Sequence, residues 1–255
     1  MLSPPFPPIE LRRVVGPTDE RSFDNPTGDN IWGDLAFGPL RPGEAYRKVF
    51  DFGCGCGRVA RQLILQRKPP ERYVGVDIAR KLITWCQENL TPFNPSFHFH
   101  HHDVHNPTYA PENAPNRFLP FPAADNSFTL VNAHSVFTHI YLDQSISYLE
   151  ECKRILDADK GIIRSTWFLF NRDWFPILAD EQQCLYVNVL DPTQAVYYDW
   201  KWLCSLFRQL ELKVVHIEWT QLRGHQSVLY LAKGEKFQDR LSELKPPREV
   251  LGFWD

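Results

Sequence analysis

At 255 residues with 43% hydrophobic side chains, the chain is long enough for one large domain with an extension, and apolar enough for a full core. Its net charge of −3 and pI near 6.3 give no field that favours nucleic acid, and no apolar run is long enough to span a bilayer. The start, MLSPPFPPIELRR, lacks the basic end and apolar stretch of a signal peptide, so a cytoplasmic location is expected. Cys54, Cys56, Cys86, Cys152, Cys184 and Cys204 are scattered, and Cys54-x-Cys56 has no second pair at zinc spacing. They read as free thiols.

Pro4, Pro5, Pro7 and Pro8 disfavour regular structure over 1–12, and 13–30 reads as polar and turn-like. A short helix is predicted over 31–37, capped by Asp29 or Asn30. A strand at 48–52 runs into Gly53, Gly55 and Gly57, and a helix follows over 58–67. This turn lets a ligand approach the backbone and presents free N–H groups at a helix start. A dinucleotide fingerprint, G-x-G-x-x-G, needs its third glycine at 58, where Arg58 stands, which argues against NAD or FAD. No Lys-Ser/Thr pair follows to make a Walker loop.

A second strand (73–76) ends on Asp77, before a helix over 80–90. The third (97–102) alternates Phe97 and Phe99 with His98, His100 and His102 on the other face. Five histidines lie between 98 and 105, but no nearby Cys or Glu completes a metal site, and no metal is expected. After a proline-rich loop (107–126) come a fourth strand (129–133), a helix (142–156) and a fifth strand (162–168). An aromatic insertion, 171–198, is read as a short helix (172–180) and an extended piece (184–190). A helix (200–210) and two antiparallel strands (213–219 and 226–232) precede a tail, 234–255.

The run from Asp51 to Arg58, DFGCGCGR, resembles the first motif of the class I S-adenosylmethionine (SAM)-dependent methyltransferases, D/E-x-G-x-G-x-G. F-x-x-x-D-V-x-N-P-x-Y from Phe99 to Tyr109, L-P-F-P and D-x-S-F between Leu119 and Phe128, and S-V-F-T-H from Ser135 to His139 resemble a bacterial small-molecule group of type 11/12. Ala123 and Ala124 are inserted before Asp125, Thr129 stands where a second Asp is usual, and Asp157-Ala158-Asp159-Lys160-Gly161 takes the place of an L-K-P-G-G turn. The resemblance covers about 45–233. It implies an arm or cap (1–44), a SAM-binding methyltransferase domain (45–233, with the insertion 171–198) and a tail (234–255). The implied fold is a three-layer α/β/α sandwich, Rossmann-like, whose seven-stranded sheet has one antiparallel strand and the order 3-2-1-4-5-7-6.

The resemblance also implies a site. The methionine amino group lies near Asp51, the Gly53 carbonyl and the strand end at Asn132 and Ala133. Its carboxylate meets the helix start at Gly57 and Arg58, with Cys54 and Gly55 in the turn between. Asp77, followed by Ile78, accepts the ribose hydroxyls, although it can also be read as a helix cap. Asp103 accepts from the adenine amino group, and the Val104 N–H faces a ring nitrogen. At the acceptor side His139, and after it His134, are the candidate bases, because imidazole titrates near neutral pH. The implied function is methyl transfer from SAM to a small-molecule hydroxyl on a sugar or secondary metabolite, leaving S-adenosylhomocysteine (SAH). No nucleic-acid or membrane partner is expected, and a homodimer is left open. The alternatives are a nucleic-acid or protein methyltransferase, and a SAM-binding module without methyl transfer.

Overall fold

Strand β1 (Lys48–Phe52) is central: Val49 packs on one face and Phe50 and Phe52 on the other, all buried. The computed structural model describes residues 3–16, 18–24, 37, 40, 44–222 and 226–244, without the side chains at 174 and 220–222. In chain order the remaining elements are α1 (Ile9–Val14), α2 (Glu20–Phe23), α3 (Arg58–Leu65), β2 (Arg72–Asp77), α4 (Arg80–Asn89), β3 (Phe97–His101) and β4 (Leu130–Ala133). Then follow α5 (Leu142–Ile155), β5 (Ile162–Phe170), β6 (Cys184–Tyr186), β7 (Val196–Asp199), α6 (Trp200–Gln209), β8 (Lys213–Leu222) and β9 (Gln226–Ala232).

The parallel strands run in the order β3-β2-β1-β4-β5. β9 joins β5 antiparallel and β8 joins β9 antiparallel. The predicted order therefore holds, with β9 and β8 as its last two strands. Two further strands come from the insertion, so the sheet has nine strands rather than the predicted seven. β5 forks: Ile163 to Trp167 pair with β9, and Phe168 to Phe170 pair with β7, which carries β6 on its far side. Neighbours along its length bury all of β5.

Alternation puts Val49, Tyr73, Leu130 and Ile162 against α3 and α4, and Phe50, Val74, Val131 and Ile163 against α5 and α6. Helices thus cover both faces, which gives three layers.

Three local expectations fail. Residues 9–14 form a helix, because Pro8, at φ −51, stands at its entry, where a fixed φ is compatible with helix initiation. Asp19 caps α2 by accepting from the Ser22 N–H at 2.8 Å. In the insertion, only a 3₁₀ turn, Arg172–Trp174, replaces the helix predicted over 172–180. The helix predicted over 31–37 and the end of the tail lie outside the described residues, Phe37 excepted.

Candidate active site

β2 lies on one side of β1 and β4 on the other, so the strand order reverses there. Ligands in such sheets bind beyond the carboxyl ends of the strands at this reversal. A cavity of about 370 Å³ opens at that place, within the span of small-molecule sites, roughly 300–1,000 Å³.

The glycine turn forms its floor. Gly53 and Cys54 donate their N–H groups to the Val76 carbonyl at 2.8 and 3.1 Å. Gly53 and Gly55 have φ of 75° and 55°. A Cβ on Gly53 would run into the Val136 side chain, and one on Gly55 into Val15. Val15 belongs to the arm, whose residues 13–16 also line the cavity. Two arginines one turn apart on α3 hold the arm down. Arg58 Nε donates to the Phe23 carbonyl at 2.9 Å. Arg61 donates to the Pro4 carbonyl at 3.1 Å, pairs with Asp24 and lies 3.8 Å over the Phe6 ring. The Arg58 guanidinium is thus engaged with the arm.

Asp77 also lines the cavity. Its Oδ2 accepts from Gly55 N–H and its Oδ1 from Ala79 N–H, both at 2.8 Å. Each oxygen keeps a further lone pair. Burial raises its pKa, and these amide bonds oppose the rise.

A buried polar stripe crosses the sheet beneath. Asp51, Asn132, Arg164 and Tyr230 are register partners on successive strands. Asp51 accepts from Tyr73 Oη at 2.5 Å and from Asn132 Nδ2 at 2.6 Å. Asn132 Oδ1 accepts from Arg164 at 2.9 Å. Burial pushes the Asp51 carboxyl up to about 6, against the pull of those donors and of Arg164. Arg164 is 1% exposed and lies 4.3 Å over the Phe37 ring. A lone charged residue, Arg164, in a strand otherwise without charge was the sequence signal for this stripe, and it went unread.

The two candidate histidines carry opposite hydrogen-bond assignments. Arg164 Nη1 lies 3.3 Å from His134 Nδ1. A guanidinium can only donate, so this Nδ1 is bare and the proton sits on Nε2. Burial and Arg164 pull the His134 pKa down to about 3. That combination makes His134 a donor and corrects its reading as a base. His139 stands on a 3₁₀ turn, Phe137–His139, and its Nδ1 lies 3.1 Å from the Thr193 carbonyl. A carbonyl can only accept, so this Nδ1 carries the proton and Nε2 keeps a lone pair. Burial lowers the His139 pKa, and hydrogen bonds to the Thr193 and Gln194 backbone oppose the shift.

Asp51, Gly53, Cys54, Gly55, Arg58, Asp77, Ile78, Val104, Asn132, His134 and His139 thus share one cavity wall. Gly57 does not: it caps α3 and backs onto Leu90 and Cys86. Ala133 points into the core on the other face of the sheet. Asp103, expected at the adenine amino group, does not line the cavity, and the Val104 N–H expected at a ring nitrogen is engaged within the chain. Asp103 Oδ1 accepts from the Ala114 N–H at 3.3 Å, and the Val104 N–H is spent on the His102 carbonyl at 2.7 Å. His102 leaves the exposed side of His98 and His100, since β3 ends at His101, and bonds to Tyr148 Oη at 2.8 Å. Among the described residues, no group of three or more His, Cys, Asp or Glu could hold a metal ion. Sequence reasoning missed Gln144 and Tyr148, cavity residues outside the motifs, and Tyr109, which ends a motif but was not read as a site residue.

A glycine turn at the order reversal, with an acid at the end of β2, gives an α/β fold of the class I methyltransferase type. Residues 49–159 match the family model of a methyltransferase domain. The fold is similar to an O-methyltransferase of neocarzinostatin biosynthesis, solved with SAM and 2-hydroxy-5-methyl naphthoic acid. The TM-score is 0.50 at 12% identity, over 74% of this chain and 49% of that one. This chain therefore spans about half the length of that protein. The fold is also similar to the methyltransferase in a complex with the Haloferax volcanii methyltransferase activator (TM-score 0.56, 14% identity, 89% of this chain and 96% of that one). A third likeness is to a SAM-dependent methyltransferase from Methanosarcina mazei (0.50, 15%, 76% and 98%). Residues 49–159 thus match a methyltransferase domain, and the fold is that of the class I SAM-dependent methyltransferases. SAM fits the wall described, because a Cβ would fill the cradle and the Asp77 oxygens retain lone pairs at its edge. No described helix is long and apolar enough to cross a membrane.

Proposed function

We propose that the protein methylates a hydroxyl of a small molecule, with His139 taking the hydroxyl proton. Bound SAM supplies a methyl group on a sulfonium and leaves as SAH. The observation that carries the reading is the His139 ring, which is tied through Nδ1 and lines the cavity with its other nitrogen basic. A hydroxyl must lose its proton to become a methyl ether, which calls for a base within reach. Burial keeps the ring neutral and able to accept.

In this reading Asp77 accepts the two ribose hydroxyls, and its bonds to Gly55 and Ala79 fix both oxygens for that purpose. Ile78, Leu82 and Val104 wall the adenine by shape. Asp51 and the Gly53 carbonyl take the amino group, and the start of α3 faces the carboxylate. His134 donates through Nε2–H. The arm and residues 105–109 help to enclose the cavity, which supports a small acceptor over a polymer. Alignment of the reacting atoms supplies most of the acceleration, on the order of 7–11 kcal/mol in favourable cases.

The test is incubation with methyl-labelled SAM and metabolite fractions, followed by mass spectrometry. Labelled ethers are expected. Label on nitrogen, on nucleic acid or on protein instead would remove the hydroxyl reading.

A further inference from the structure

We infer that the acceptor is an uncharged, planar aromatic molecule with one reacting hydroxyl: a phenol, rather than a sugar, an acid or an amine. The inference rests on the proposed reading of the cavity. The charged side chains of its wall all precede residue 102 in the chain. Arg13, Asp51, Arg58 and Asp77 come from the arm, the first two strands and the start of α3. From residue 102 onward the described wall contains no Lys, Arg, Asp or Glu. His134 feels the charges of Arg164 and Arg58, whereas His139 has no charged neighbour, so an acceptor with a carboxylate or ammonium would meet His139 without a counter-charge.

The amides at this end are already spent. Asn106 Oδ1 accepts from the N–H groups of Thr108 and Tyr109, both at 3.0 Å, and its Nδ2 donates to the His139 carbonyl at 3.1 Å. Gln144 accepts from the Tyr141 N–H at 3.0 Å and donates to the Arg117 carbonyl at 2.6 Å. His102 and Tyr148 satisfy each other at 2.8 Å. What remains for a ligand is chiefly His139 Nε2, the His134 Nε2–H and the His105 ring, since the Tyr109 hydroxyl already lies 3.2 Å from His139 Nδ1. A sugar would bring several hydroxyls to a wall with few open partners, and each unmatched one is a penalty. A flat ring, in contrast, finds aromatic surface. Tyr109 stands edge-on to His139 at 5.2 Å, and Phe52 packs on Tyr148 at 4.6 Å.

Acidity points the same way. A phenol ionises near pH 10, far more readily than an alcohol, which suits an imidazole that burial has made a weaker base. In the reaction the O–H bond breaks and its proton passes to Nε2 of His139. An oxygen electron pair forms the bond to the methyl carbon, and the sulfur keeps the pair of the bond that breaks.

The experiment titrates the SAH-loaded protein with 2-naphthol, methyl glucoside, benzoate and benzylamine by calorimetry, and incubates each with labelled SAM. 2-Naphthol is expected to bind at least about tenfold more tightly than the others and to be methylated on oxygen. Tyr109→Ala should weaken 2-naphthol about tenfold and leave SAH affinity unchanged. Equal or tighter binding of another probe, no binding of 2-naphthol to the SAH-loaded protein, or an indifferent Tyr109→Ala variant would each overturn the inference. Failure of SAM and SAH to bind at all would overturn the reading of the cavity, and the acceptor class with it.

Discussion

The carbonyl oxygen of Thr193 lies 3.1 Å from Nδ1 of His139, 54 residues away in sequence. Thr193 is fully buried, and its hydroxyl bonds to Asp191 at 2.7 Å and to Thr108 at 3.0 Å. Asp191 in turn takes the Thr108 hydroxyl at 2.6 Å. The least regular segment of the chain therefore sets the tautomer of the candidate base.

His139→Ala should cut turnover by about 10²-fold or more, the usual scale for a positioned base, with SAM affinity unchanged. Asp191→Ala should loosen the turn that holds His139, lowering kcat about tenfold. Stopped-flow or steady-state kinetics beside calorimetry separates the two effects. Full activity in both variants would remove His139 from the chemistry.

Asp77→Ala should weaken SAM binding by roughly 10–100-fold, the value of charge-assisted hydrogen bonds of about 1.5–3 kcal/mol. The loss includes the tether on Gly55 as well as the ribose contacts. Isothermal calorimetry measures it directly, and unchanged affinity would rule out the ribose assignment.

Gly55→Ala places a Cβ at φ 55°, against the Val15 side chain. The left-handed conformation alone costs about 1–2 kcal/mol for an L-residue. The clash should also lift the arm, so limited proteolysis before residue 24 should speed up. Adding Val15→Ala should restore part of that protection, because it removes the clash but not the backbone strain. Identical proteolysis of wild type and Gly55→Ala would show that Val15 does not rest on the turn.

Acid stability should depend on His134 and His102, which burial pulls down to about 3 and about 4. An unfolded histidine binds its proton near pH 6.5, so below that pH the unfolded chain takes up protons that the fold refuses, and stability falls. From pH 6.5 to 4.5 each histidine costs about 2 kcal/mol. Asp51 acts oppositely. Raised to about 6, it holds a proton in the fold that the unfolded carboxylate has released, so it favours the fold as pH drops through 6. It offsets roughly one of the two histidines. His134→Asn should therefore flatten the profile over this range, as read from denaturation midpoints at both pH values. An unaltered slope would mean that His134 is protonated in the fold.

Much of the frame was readable along the chain. Apolar alternation with a glycine turn marks β1 and α3, and Asp77 closes β2 as expected, because these features arise within some thirty residues of one another. The fork of β5 was not readable. Its upper half takes a partner from an insertion whose strands are three and four residues long, too short to show a period. The inward turn of His102 was likewise hidden, since it depends on β3 stopping one residue earlier than alternation implied.

By itself, the sequence determined the order of most elements and the glycine turn at the cavity floor, because strand pattern, turn chemistry and helix starts are local properties. Only the tertiary structure decided what each polar group has left to offer. The tautomers of His134 and His139, the engagement of Arg58 with the arm and the turning away of Asp103 all depend on partners 11 to 54 residues distant. A hydrogen bond spent on one neighbour is withheld from a ligand, and that accounting closes only when the chain is folded.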